Sequence, residues 1–481
     1  MRRSVLRWLL LPLATSSLLA QQTPAALSSV TIFWWLAGGI SSGRLERTVR
    51  GNGLGCRVTA PYAAALERAG ATPSLIRVLQ ETPAPRTACA GSAPAARVAT
   101  LIHEQNFDTA EEQARGLLRD DAGNPWLHFV LGTILRQQGR FQEAFDAFTE
   151  SSRLMPGFPE THNQLSYLFY RFDDADNANA EARTALSMDP GNAEGYRYLG
   201  LALYAKGHYD AALHAFDESL AREPANADVY YDMGITLRDQ GDLRRAAIAY
   251  RHALSLRPGF WEAYSNLGVV LHDQGRLDEA LVEYQEAKRL APQDASVRNN
   301  LGNTYCDKGE FDKAITEFHE LYQQSPEWEG GHNCLARAYM AKRDYASAIR
   351  ELQAAILINP SGAAEHRVLG QALLLSGKDQ EAVQELRVAV SLNPESALAH
   401  HYLGTALINT QQLPEAEQEF REALRRDQSA QNHYSLAACL MALSRYEEAL
   451  GELEIASRLD PSQNLYRTRI QEVVRLISAS K

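Results

Sequence analysis

Residues 261–294 read WEAYSNLGVVLHDQGRLDEALVEYQEAKRLAPQD. Tyr264, Leu267, Gly268 and Leu271 fall at the spacing of one apolar helix face, and Leu277, Ala280, Leu281, Tyr284 and Ala287 fall at that of a second. Gly275 stands between them, where a backbone leaves a helix through positive φ. Pro292 cannot continue the second helix and so ends the pair. The stretch predicts a helical hairpin. Outward from it, prolines stand at 156, 190, 224, 258, 292, 326, 360 and 394, each 34 residues after the last. Twelve residues before each proline lies an alanine, from Ala144 to Ala382. Twenty-four residues before most of them lies a glycine, at 132, 200, 234, 268, 302 and 370, with Ser166 and Ala336 in the gaps. Gly404 and Ala416 continue the series, and Ala437, Ala449 and Pro461 close it after a one-residue deletion. Three columns in step over ten cycles are an internal repeat. The small residues let two antiparallel helices approach closely. Each hairpin buries only one face, so neighbours must stack to complete a core.

These columns resemble the tetratricopeptide repeat, with its Leu-Gly, Tyr, Ala, Phe and Pro pattern. The resemblance covers 125–463 as ten units and implies an all-α fold, a right-handed α-α superhelical solenoid of helix-turn-helix repeats. A degenerate unit at 91–124 carries Phe107, Ala110 and Ala114 in the right columns. The unit from Pro159 to Asn192 departs most, since Ser166, Asp173 and Ala182 replace its glycines and aromatic. After Pro461, Leu465, Ile470, Val473, Val474 and Ile477 alternate with charged residues, which reads as a capping helix over 464–481.

The N-terminal part differs. Arg2, Arg3 and Arg7 precede a short apolar stretch ending at Ala20, so 1–20 reads as a signal peptide and the protein as exported, periplasmic or envelope-associated. Residues 21–82 form a small helical module, and 83–94, with Pro83, Pro85 and Pro94, a linker. No later segment has the run of about 18 apolar residues that a transmembrane helix needs. Export permits disulfides: Cys56 and Cys89 can pair, whereas Cys306, Cys334 and Cys439 fall within the array as small core or wall residues.

The whole chain has 481 residues, 45% hydrophobic and 22% charged, which suits a folded, self-cored protein. Its net charge of −11, with no basic run, argues against nucleic acid as a partner. Enzyme signatures fail in context. Gly39-Ile40-Ser41-Ser42-Gly43 fits GxSxG but lacks the strand and sheet that motif needs. His103-Glu104 and His319-Glu320 lack the second metalloprotease histidine, and there is no phosphate-binding loop. Six histidines share one column, His128, His162, His332, His366, His400 and His433, a position for inter-helix packing rather than metal. The expectation is a protein with no enzymatic activity, cofactor or metal.

Function then rests on the surface that stacking creates. The resemblance implies that the second, fifth, ninth, twelfth and thirteenth positions of each unit line a concave groove for an extended or helical segment of a partner. Those columns give Trp126, Phe129, Arg136, Asn163, Tyr167, Tyr170, Arg171, Arg197, Tyr204 and Tyr231, then Arg238, Asn299, Asn303, Asn333, Arg337 and Arg367. The last units turn aliphatic, with Leu374, Leu375, Leu398 and Ile408. Aromatics supply rigid apolar area, while Arg and Asn supply donors for carbonyls and carboxylates. A carboxylate clamp is only partly matched, and an asparagine ladder fails, since Asn266 and Asn300 alone precede Leu-Gly. Asp239, Asp273 and Asp307 share a column at helix ends, where acids oppose the dipole, and form a candidate acidic stripe for a basic segment. The reading is a protein-interaction scaffold of the cell envelope. Its rivals are a self-associating envelope component and a cytoplasmic co-chaperone-type adaptor.

Overall fold

The computed structural model describes residues 26–90 and 93–480, so the expected signal peptide 1–20 lies outside the described residues. The chain divides into two compact units, Met1–Asp242 and Leu243–Lys481. In the first, α1 (Ser29–Ala37), α2 (Ser42–Asn52), α3 (Ala60–Arg68) and α4 (Pro73–Glu81) form the N-terminal module. Then come α5 (Ala93–His103), α6 (Phe107–Asp120), α7 (Pro125–Gln137), α8 (Phe141–Leu154), α9 (Pro159–Arg171), α10 (Ala175–Met188), α11 (Ala193–Ala205), α12 (Tyr209–Arg222) and α13 (Ala227–Asp239). The second unit holds α14 (Leu243–Leu256), α15 (Trp261–Asp273), α16 (Leu277–Leu290), α17 (Ala295–Asp307), α18 (Phe311–Gln324), α19 (His332–Ala341) and α20 (Tyr345–Ile358). It continues through α21 (Ala363–Leu375), α22 (Asp379–Leu392), α23 (Ala397–Asn409), α24 (Leu413–Arg426), α25 (Ala430–Ala442), α26 (Tyr446–Leu459) and α27 (Asn464–Ser480). Each unit is a stack of helical hairpins, as the columns predict.

The first helix of a pair starts on a capping side chain. Asn124 Oδ1 accepts from the Trp126 and Leu127 amides at 3.1 and 3.3 Å, and Asn192, Asn226, Asp294 and Ser396 cap at the same column. Such a cap is worth about 1 kcal/mol. The helix leaves through positive φ, at Gly139, Gly207, Gly275, Gly309 and Gly377. Asp173, Arg343, Gln411 and Ser444 take the same turn at φ 60–62° without glycine.

The glycine column is explained by its neighbour. A Cβ at Gly132, Gly268 or Gly302 would stand 2.7–2.8 Å from the Phe148, Tyr284 or Phe318 ring of the facing helix. The divergent unit solves the same problem in reverse. Ala182 replaces the ring, which leaves room for Ser166, whose hydroxyl donates to the Ala178 carbonyl at 2.7 Å. Both residues are fully buried, so this hairpin packs as its neighbours do.

Three features differ from the sequence expectations. Residues 83–90 are tied to the module: Cys89 is disulfide-bonded to Cys56, and Arg57 exchanges backbone hydrogen bonds with Thr87 and Cys89 at 2.8 Å. Cys306 and Cys334 are also disulfide-bonded, joining α17 to α19 with their Cα atoms 6.0 Å apart, which corrects their reading as separate wall residues. Lastly, α19 starts late, after Gly330 and Gly331, because Gly331 turns the chain at φ 95° where a Cβ would strike Phe318. Cys439 stays a buried free thiol, pushed up to about 11 by that burial. At the C-terminus, α27 buries Tyr466 against Tyr434 and Val473 against the last hairpin, with Leu465 and Val474 on its wet side.

Candidate functional site: the face of the first helices

In the first unit α9 packs on α11 and α11 on α13, so the columns that the repeat assigns to recognition come side by side. Arg136 lies 5.4 Å over the Tyr167 ring, and Tyr167 lies 5.8 Å from Tyr198. Tyr170 is half-buried, and that burial raises its phenol above the ordinary range. Arg197 Nε donates to the buried Asp232 at 2.6 Å. Tyr204 donates to Asp239 Oδ2 at 2.5 Å, and Arg238 reaches the other oxygen of that carboxylate at 3.0 Å. Tyr231 is half-buried on α13. Arg171 sits 4.7 Å over Phe141, and Asn163 is fully buried. The result is a partly exposed row of tyrosines, with guanidiniums held among them by carboxylates and ring faces.

The amino-terminal end of this face is already covered by the chain's own module. Trp35 of α1 packs at 6.2 Å on Trp126 and 6.0 Å on Phe158. Phe129 is fully buried between Phe148 and Phe158, with Gly38 close by, so it is a core residue and not a groove residue. On α2, Arg44 pairs with both Glu160 and Asp189, and Arg47 Nη2 donates to Glu223 at 3.1 Å. Ser41 Oγ, the hydroxyl of the GxSxG match, donates to Glu223 at 2.9 Å and caps α2 by accepting from the Arg44 amide. Burial pushes the Glu160 carboxyl up to about 7, although Arg44 pulls it down. Sequence reasoning missed Trp35, Arg44 and Glu160 because their contacts span long separations with no period to betray them.

In the second unit α17 packs on α19, and α21 on α23. Asn299 and Asn303 lie half-buried on α17. Asn333 Nδ2 donates to Glu365 at 2.9 Å. Arg337 is 56% exposed and pairs with Asp307 at 3.0 Å, and Arg367 is half-buried on α21. Leu375 and Leu398 stand exposed, while Leu374 and Ile408 pack partly into the core. The acids of the candidate stripe hold partners of their own. Asp239 accepts from Tyr204 and Arg238, and Asp273 lies 3.8 Å from the His272 ring. Asp307 accepts from Arg337 and lies 3.0 Å from His272 Nε2; burial opposes ionisation there, yet these two bonds hold its carboxyl below the usual range.

The histidine column ties helix to helix. Nδ1 of His162, His332, His366, His400 and His433 lies 2.5–2.8 Å from Glu181, Glu351, Glu385, Glu419 and Glu452 on the second helix of the same pair. Nε2 of His162, His366 and His400 meets the carbonyl of the proline six residues earlier. His128, which lacks that glutamate, places Nε2 3.0 Å from the Ala122 carbonyl. Among the described residues no group of three His, Cys, Asp or Glu could hold a metal ion, and no helix is long and apolar enough to cross a membrane.

Tandem stacked hairpins define the class of helical-repeat proteins. Models of the tetratricopeptide repeat match residues 101–154, 231–295, 335–397 and 401–464, more than half of the chain, and a second such model matches 193–226. The chain belongs to the tetratricopeptide repeat family, whose fold is generally a non-enzymatic protein-interaction scaffold. No curated protein matches it. Among solved structures it is similar to MamA, at 26% identity and TM-score 0.29 over 34% of this chain and 95% of that one. It is also similar to YrrB, described as a TPR protein with an unusual peptide-binding site, at 24% identity and TM-score 0.32 over 41% and 99%. Yeast Tom70 matches at 14% identity and TM-score 0.33 over 81% and 96%.

Proposed function

We propose that the protein binds extended or helical segments of partner proteins on the faces of its first helices, in the cell envelope. The single observation that carries this reading is the tyrosine and arginine row of α7, α9, α11 and α13. Arg136, Tyr167, Arg197 and Tyr204 are held in place by cation–π and carboxylate contacts, and these four with Tyr170 and Tyr231 are half-buried rather than absorbed into the core. Pre-ordered aromatics and arginines of this kind are the usual anchors of a binding surface. In the second unit Asn299, Asn303, Asn333, Arg337 and Arg367 supply amide and guanidinium donors for a backbone or a carboxylate. Trp126 and Phe129 take no part, since Trp35 covers one and the core encloses the other.

Two disulfides support export, because such bonds persist outside the reducing cytoplasm. A reporter fused after residue 120 should reach the periplasm; cytoplasmic retention would refute the location. The binding face is tested by selecting random peptides on the full chain. Selected peptides should lose at least tenfold in affinity for Tyr204→Ser or for Arg337→Ala. They should be indifferent to Val282→Ser, which alters an exposed second-helix position. Peptides insensitive to both first-helix variants would sink the assignment.

A further inference from the structure

The N-terminal module has a charge balance opposite to that of the whole chain. Residues 26–103 hold eight arginines and no lysine against three glutamates and no aspartate, within a protein of net charge −11. Arg44 and Arg47 are engaged in docking. Arg68 on α3 and Arg97 on α5 are exposed, and neither has a side-chain hydrogen bond or ion pair among the described residues.

Both residues line one cavity of about 520 Å³ between α3 and α5. That volume falls within the roughly 300–1,000 Å³ of small-molecule sites. Its accessible walls are largely apolar, with Ala65 from α3 and Ala96 and Leu101 from α5, over the buried Phe33 of α1 and Tyr62 of α3. Two polar groups of the wall, those of Tyr62 and Thr100, are turned to other work, while the Thr59 hydroxyl also lines it. The Tyr62 hydroxyl donates to the Ser29 carbonyl at 2.7 Å, which fixes the ring as a wall, and Phe33 meets that ring edge-on at 5.4 Å. Thr100, also in the wall, donates its hydroxyl to the Ala96 carbonyl of its own helix at 2.9 Å. Cys89 closes one side and is fixed by its bond to Cys56.

We propose that this cavity binds an aliphatic carboxylate, its chain against Ala65, Ala96 and Leu101 and its head group between Arg68 and Arg97. A peptide fits less well, because the side walls offer little to satisfy backbone amides, and each amide buried unpaired is costly. Two like charges at one apolar mouth, by contrast, are complemented by a single anion, which guanidinium forks bind with two parallel hydrogen bonds. The site is separate from the recognition face, so its failure would leave the binding reading untouched.

Isothermal titration of the full chain with decanoate, decan-1-ol and acetate tests it. Decanoate should bind at least tenfold more tightly than either of the others. Arg68→Ala with Arg97→Ala should lower decanoate affinity at least tenfold and leave decanol unchanged, with the same melting temperature, since both side chains are exposed. Ala96→Trp, which fills the cavity, should abolish decanoate binding. Decanoate binding no tighter than decanol, or unchanged in the arginine double variant, would overturn the proposal. So would binding to anionic vesicles without any binding of free decanoate.

Discussion

Single residues hold the hairpins closed, and the repeat columns report that pressure directly. Gly268 faces the Tyr284 ring so closely that a Cβ would approach it to 2.7 Å. Gly268→Ala should therefore destabilise the second unit by roughly 1–3 kcal/mol, as overpacking does, measured by urea unfolding. Ser166 tolerates its side chain only because Ala182 faces it, so Ala182→Phe should be destabilising where the same aromatic is native elsewhere. The turn column works the other way. Ser444 takes φ 60° without the freedom of glycine, and Ser444→Gly should gain about 1 kcal/mol in the same assay. At His162 the Glu181 hydrogen bond raises the imidazole above its usual value, against the burial that lowers it. Its contribution is full below the ordinary histidine range and is lost as pH rises through the elevated value. Glu181→Gln should flatten that part of the stability–pH curve; an unchanged slope would contradict it.

At the scale of elements, the decisive contact is α2 against the first repeats. Arg44 neutralises Glu160, which is nearly inaccessible to water. Arg44→Met removes that counter-charge, so Glu160 must take up a proton to stay buried, and the variant should lose more stability the higher the pH. Hydrogen exchange should then show α2 losing protection while α22 and α24 keep theirs. The Glu160 carboxyl, raised to about 7 chiefly by burial, holds its proton in the folded state more tightly than in the unfolded chain. Its linkage stabilises the docked module below the ordinary carboxylate range and fades as pH rises through about 7. Glu160→Gln should remove that dependence.

This is also where sequence reading reached its limit. The tandem hairpins and their turns followed from a period that repeats each constraint many times over. The docking of Trp35 on Trp126 happens once, between segments with no shared pattern. The column rule therefore assigned Phe129 to an open face that α1 and the first hairpins in fact enclose. Cys306 and Cys334 likewise occupy different columns of successive first helices, and only the stacking brings them together.

For the whole molecule, the cysteines and the recognition faces make joint claims. Alkylation under denaturing, non-reducing conditions should label Cys439 and leave the other four unmodified, read by mass spectrometry. Reduction opens the 33-residue separation of Cys56 and Cys89, and it should lower the module's stability by a few kcal/mol, of the order of ~3–4 by loop entropy. The central claim is that partners are captured by first helices and not by second ones. Site-specific photo-cross-linking in the native host tests it most directly, with the reactive residue placed at Tyr204 or Arg337 on first helices, and at Arg183 or Val282 on second helices. Protein-sized adducts at Tyr204 and Arg337, with none at Arg183 and Val282, are the predicted result. Adducts confined to Arg183 and Val282 would contradict the account.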